Sequence, residues 1–192
     1  MPSFDLRHIQ AAAYNYDPST ETVSYTGKVR VGDAMTANVE LKFAEGRLYA
    51  EGRLAEYMKL ATGGTISLAV ARIMPAAQQL LYGASESSRS NLSGLKYTAK
   101  DAAKYVGVSF YAPDMIDGKT KYTCMFVAKA LFGPPSYAYK TKGQNLEFAT
   151  PTTTGEFLAS DDREELLIDT AVADTIEAAA AWCDAVLETG GA

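Results

Sequence analysis

Histidine, cysteine, basic clusters and long apolar runs are all scarce in this 192-residue chain, and each scarcity removes a class of function. The single histidine, His8, stands in an N-terminal segment that reads as a strand, so a nucleophile–base–acid triad has no base. The two cysteines, Cys124 and Cys183, are far apart in the chain and belong to no CxxC pair, which leaves too few soft ligands for a closed zinc site. They read as buried free thiols, with a disulfide as the alternative. Eighteen Lys and Arg stand against 23 Asp and Glu, a formal charge of −5 with no basic run, so the footprint of a phosphate-gripping protein is missing. No window of about 18 apolar residues and no charged leader followed by an apolar stretch indicates a membrane span or secretion. The expectation is a protein made and kept in the cytoplasm until it is assembled.

Other reactive arrangements fare no better. SESSRS, from Ser85 to Ser90, lacks a GxSxG elbow and reads as a flexible loop. Asp161, Asp162, Glu164 and Glu165 are adjacent in a polar segment and read as a solvated linker rather than an acid–base pair. The glycines around Gly63 do not have phosphate-loop spacing. The twelve tyrosines are scattered without a basic groove and fit strand propensity and interfaces better than a stacking platform. No catalytic, cofactor-binding or metal-binding residue is assigned.

What the sequence does have is period-two alternation. From Thr36 to Phe43, Ala37, Val39, Leu41 and Phe43 fall on one face and Thr36, Asn38, Glu40 and Lys42 on the other. After Gly63 and Gly64, Ile66, Leu68 and Val70 alternate with Thr65, Ser67, Ala69 and Ala71. A first hairpin is predicted from Leu6–Tyr16 and Thr22–Val31 around Asp17, Pro18 and Ser19. Later strands are predicted through Val106, Val108 and Phe110, through Tyr122, Cys124, Phe126 and Ala128 after a turn at Asp117 and Gly118, and through Leu146, Phe148 and Thr150. Pro75–Tyr82, with proline first and Gly83 after, predicts a short connecting helix. Val172, Ile176, Ala179, Cys183 and Val186 recur at helical spacing and predict a C-terminal helix over about 171–188. One domain over residues 1–192 is expected.

Residues 44–62, AEGRLYAEGRLAEYMKLAT, form a long connection between two convincing strands, and such connections are usually functional or disordered. Leu48, Tyr49, Leu54, Tyr57, Met58 and Leu60 are too apolar for a free linker, and Glu45, Arg47, Glu51, Arg53, Glu56 and Lys59 alternate in sign. Two readings are open: a loop that folds back over its own sheet, or one that lies on a partner surface with its charges setting the register.

The run YKTKGQNLEFATPTTTGEF, Tyr139–Phe157, resembles the signature near the end of the major tail proteins of long, non-contractile-tailed phages, in which a YKTK turn precedes an EFxTPTxxG strand. GRLYAEGRLAEYMKLATGGTISLAV is similar to that family's LY-acid loop, AEY step and GGT strand opening. KDAAKYVGVSFYAP, the DGKTKY turn and CMFVAKALFGPPSYAYKTK resemble its central strands in the same order. The likeness runs from Phe4 to about Phe157, and from Ala159 onward it is one of type only.

The resemblance implies a mainly β fold with flanking α, a tail-tube β-sandwich or open barrel with a C-terminal helix and a long inter-strand loop. It implies self-assembly into hexameric rings stacked into a tube that conducts DNA without binding it tightly, with tape-measure, tail-tip and tail-terminator proteins as partners, no membrane and no cofactor. The expected location is the virion tail. On this reading Arg47, Leu48, Tyr49, Arg53, Leu54, Tyr57 and Met58 form the subunit or ring interface, and Thr36, Asn38, Glu40, Thr65 and Ser67 line the bore. The alternatives are a tube subunit of a contractile tail, tailocin or secretion device and, in another class, a monomeric β-sandwich module binding glycans or cell surfaces.

Overall fold

The computed structural model describes residues 5–50, 53–116, 118–137 and 150–188. The predicted turn residue Asp117, the strand positions Leu146 and Phe148, and most of the Tyr139–Phe157 signature lie outside these residues. Ten strands and two helices follow in chain order. They are β1 (Arg7–Asp17), β2 (Thr22–Arg30), β3 (Gly32–Ala50), β4 (Arg53–Ile73), α1 (Pro75–Tyr82), β5 (Ser85–Arg89), β6 (Leu92–Lys96), β7 (Val106–Ile116), β8 (Lys119–Phe132), β9 (Thr152–Leu158), β10 (Ile168–Ala173) and α2 (Ile176–Val186). The protein is mainly β with flanking α.

An antiparallel sheet runs β2-β1-β7-β8-β9-β4-β3, with β10 added on β8, and β5–β6 form a separate hairpin. The sheet curls onto itself. Ile9 of β1 and Val106 and Val108 of β7 share one buried cluster with Ile66, Leu68 and Val70 of β4. Helix α1 contributes Ala77, Leu81 and Tyr82 to the same cluster. Its end is set by Gly83, whose φ of 71° and N–H bond to the Gln79 carbonyl make a left-handed cap.

The opposite face of β7 and β8 is covered by α2. Tyr111, Cys124, Ala179 and Cys183 form one small buried cluster. Val23, Tyr25, Phe126, Ala128 and Leu187 belong to another. The two cysteines thus meet between strand and helix as free thiols, and burial pushes the Cys183 thiol up to about 12. A bulge divides β8: Val127 faces Val108 and Ala130 faces Val106, so β8 advances three residues while β7 advances two.

Several expectations need correction. The C-terminal helix begins at Ile176, not 171, because Ile168–Ala173 pair with β8 as a strand and Thr175 caps the helix by accepting the Ala178 N–H at 3.2 Å. Val172 therefore leaves the predicted helical stripe and is exposed. The SESSRS stretch is strand β5 rather than a flexible loop, paired to β6 around a turn at Ser90 and Asn91, both with positive φ. The acidic segment after β9 is tied down at two points: Asp161 takes the Lys129 ammonium at 2.6 Å and the Tyr14 hydroxyl at 2.9 Å, and Arg163 pairs with Glu21 at 2.5 Å. The largest correction concerns residues 44–62.

Candidate assembly interface

Residues 44–62 are not an irregular loop. β3 and β4 continue through them as one long antiparallel hairpin, paired from Gly32↔Ile73 out to Ala50↔Arg53. The alternation of Ala44, Gly46 and Leu48 with Glu45 and Arg47 is a strand pattern, and the strand runs on from Thr36–Phe43 although the apolar positions change from odd to even at Phe43 and Ala44. The hairpin leaves the body because its neighbour ends. β9 covers β4 from Ala69 to Gly64 and stops at Leu158, while the adjacent edge of β8 from Tyr122 to Val127 is already taken by β10. From Gly63 outward, among the described residues, the two strands pair only with each other.

The point of departure is tightly built. A side chain on Gly64 would meet the Phe157 ring at 2.3 Å and the Glu40 carbonyl oxygen at 2.2 Å, so only glycine lets β4 lie between β3 and β9 here. The Lys42 ammonium reaches across to Glu156 of β9 at 2.6 Å and holds that carboxyl below its usual range.

Beyond the junction the ribbon has two unlike faces. Directly paired residues share a face, so Phe43/Ala61, Glu45/Lys59 and Arg47/Tyr57 lie on one, and Ala44/Leu60, Gly46/Met58 and Leu48/Glu56 on the other. The first face is a ladder of charges and rings. The Lys59 ammonium sits 4.4 Å from the Phe43 ring centroid, the Arg47 guanidinium 5.6 Å from that of Tyr57, and Glu45 lies 3.5 Å from Arg47 and 3.7 Å from Lys59. A hydrogen bond to Glu45 raises the Tyr57 phenol. The second face is apolar and uncovered: Leu48, Met58 and Leu60 keep 58%, 59% and 59% of their surface exposed.

Nearer the body the assignment of faces is reversed. Ile66, Leu68 and Val70 are buried, whereas Thr36, Asn38 and Glu40 of β3 and Thr65 and Ser67 of β4 share the outer face. All five residues assigned to a bore thus come together, joined by Thr154 and Glu156 of β9, which pair with Ser67 and Thr65. Asn38 donates to Glu40 at 3.0 Å, and Ser67 and Thr154 hydroxyls lie 3.3 Å apart.

The predicted interface residues are divided between faces, Arg47 and Tyr57 on the charged one and Leu48 and Met58 on the apolar one. Tyr49 and Leu54 pair at the backbone near the tip, and their side chains lie outside the description. Arg53 is exposed beside them. Phe43 and Glu156 are site residues that sequence reasoning missed, while Lys59 and Leu60 are singled out within residues 44–62 without being assigned to the interface. Among the described residues, no group of three or more His, Cys, Asp or Glu could hold a metal ion, and no helix is long and apolar enough to cross a membrane.

No family model matches the chain, and no curated protein does. Among solved structures, the anti-feeding prophage cap, a tube-terminating cap, aligns with a TM-score of 0.40 at 12% identity, covering 74% of this chain and 85% of that one.

Proposed function

We propose that this chain is a non-catalytic structural subunit of a phage tail, the major tail protein, which assembles as hexameric rings stacked into the tube that conducts DNA. The observation that carries the reading is the projecting ribbon. A two-stranded hairpin alone is marginal in water, and this one presents Leu48, Met58 and Leu60 uncovered on one face and a sign-alternating ladder on the other. Burying each large apolar side chain contributes about 1.5–3 kcal/mol, so a neighbouring copy that covers the apolar face stabilises both itself and the ribbon. The charged face then fixes register, since opposite charges recur two residues apart along it and a slip of that size opposes like charges.

Two further features support the reading. β2 and β3 are the ends of the sheet order, and β3 is 19 residues long, an edge that invites uncontrolled pairing unless a neighbour covers it. The polar face of Thr36, Asn38, Glu40, Thr65 and Ser67 suits a bore, because a wall without a basic patch does not hold phosphates by counterion release. On this reading the location is the virion tail, tape-measure protein fills the bore during assembly, and tail-tip and tail-terminator proteins meet the two ends.

Negative-stain electron microscopy of the purified protein over a concentration series, with light scattering for mass, tests the proposal. Rings or hollow tubes of uniform width are expected. A strict monomer even when nucleated with tail tips would overturn it and favour the binding-module alternative.

A further inference from the structure

One end of the curled sheet is open, and a carboxylate waits inside it. The cavity, about 380 Å³, lies between β3 and the inner faces of β7 and β8, with Val39, Phe110 and Met125 among its walls and the half-exposed Met35 beside them. Asp114 lines it and is only 8% exposed. One of its oxygens accepts from the Thr123 hydroxyl, while Oδ1 is buried and has no hydrogen-bond partner. The other acid at this cavity, Asp5, is exposed and already paired with Arg7.

A buried carboxylate oxygen without a donor is a strong unfilled demand, and the shape of the site limits what can meet it. A divalent ion needs six or more oxygen ligands, and the lining offers it the Asp114 carboxylate and the hydroxyls of Thr36 and Thr123 beside an Asp5 carboxylate already held by Arg7. An apolar slot with a carboxylate in its wall suits a long alkyl stem ending in an ammonium, which buries the stem and delivers charged donors to Oδ1. We infer that the slot beside Asp114 receives a lysine side chain from a second copy of this chain, carried on the segment that holds Lys100 and Lys104.

The choice of segment follows from charge and placement. Lys96, Lys100, Lys104 and Lys119 are exposed and, among the described residues, have no ion pair, whereas Lys28, Lys42, Lys59, Lys121 and Lys129 are each engaged with a carboxylate. Of the four, Lys119 opens β8 at Asp114's own end of the β7–β8 pair and Lys96 closes the β5–β6 hairpin, which leaves Lys100 and Lys104. Lys104 precedes the first residue of β7 by two positions and Asp114 lies near the strand's other end. At about 3.3 Å per residue they are roughly 30 Å apart along one strand. Donor and acceptor on opposite ends of a subunit form a heterologous, head-to-tail contact, the kind that propagates along an axis. The inference rests on the self-assembly reading and adds to it an axial contact separate from the ribbon.

The experiment has two arms. n-Butylammonium chloride is titrated into the dispersed parent and into D114N, followed by methyl NMR of Met35 and Met125. Saturable shifts in the parent, lost in D114N, are expected, and shifts in neither overturn the cation slot and leave the oxygen to a water molecule. In the second arm the critical concentration for assembly is measured for D114N, for K100Q/K104Q and for their combination. A rise of about tenfold in each, with no further rise when combined, is expected, because either change removes the same contact. Additive effects overturn the pairing. A parent that never assembles overturns the self-assembly reading and the second-copy occupant together, while the amine titration still decides whether the slot takes a cation.

Discussion

The near and far halves of the β3–β4 hairpin are built from the same kind of alternating sequence and reach opposite outcomes. In the near half, Ile66, Leu68 and Val70 are buried in the core and Asn38, Glu40, Thr65 and Ser67 face outward. In the far half the apolar residues face outward and the charged ones occupy the face that continues the core side. On β4 the cause is one residue. Apolar side chains keep even numbers throughout, Met58, Leu60, Ile66, Leu68 and Val70, but the register shifts between Lys42↔Gly63 and Phe43↔Ala61, leaving Thr62 as an extra residue. Even positions cross from the inner to the outer face there. A single chain thus uses one alternation twice, first to fold and then to offer a surface.

Hydrogen exchange should separate the halves by the widest margin. In the dispersed subunit, amides of Ile66–Val70 should exchange only through opening close to the global unfolding free energy, and those of Arg47, Met58 and Leu60 through local fraying that costs little. Assembly should slow the second group selectively. Equal protection of both groups in the dispersed subunit would mean that the ribbon is stable by itself and needs no partner.

Truncating one leucine in each half sharpens the contrast. Leu68→Ala should cost about 2–5 kcal/mol in urea unfolding of the dispersed subunit, since the side chain is fully buried among β-sheet neighbours. Leu60→Ala should change that value by no more than about 0.5 kcal/mol. It should instead raise the concentration needed for assembly. A Leu60→Ala subunit as destabilised as Leu68→Ala would place Leu60 in the fold rather than in the interface.

Charge reversal at Arg47 on the charged face, together with Arg53 near the tip, addresses the charges of the far half. The subunit should melt as the parent does, because exposed ion pairs contribute about 0–1 kcal/mol. Its tubes should be shorter and should come apart at lower salt. Tubes as long and as salt-resistant as the parent's would remove the charged face from the axial contact.

Much of the near half is legible in the sequence, because turn residues and strict alternation agree there. The hairpin β1–β2 follows from Asp17, whose carboxylate accepts the Ser19 N–H at 2.8 Å, and α1 has the predicted bounds. The far half is misread as a loop because bulges at Thr62 and between Leu48 and Tyr49 break the parity that makes two strands look like partners. Strand β10 is hidden for a different reason. Val172 lies four residues before Ile176 and so completes a helical stripe, and only tertiary pairing with Thr123 shows it to be strand. Asp114 gives no local signal at all, since its burial depends on β3 lying opposite β7 and β8.

The smallest effect belongs to the junction between the halves, where Lys42 and Glu156 tie β3 to β9 across β4. The hydrogen bond from Lys42, and then its charge, lower the Glu156 carboxyl in the folded chain. A depressed acid stabilises the fold above its unfolded value of about 4.3 and loses that contribution as pH falls through the lower folded value. Both groups are largely in solvent, so the loss should be slight in global unfolding and concentrated where the ribbon departs. Between pH 6 and pH 3 the amides of Lys42 and Gly63 should lose more protection than those of Leu68 in the parent, and Glu156→Gln should show the weaker protection at both pH values. If the parent and Glu156→Gln respond alike to acid, the tie does not hold the ribbon's root, and the division between the halves rests on the end of β9 and the bulge at Thr62 alone.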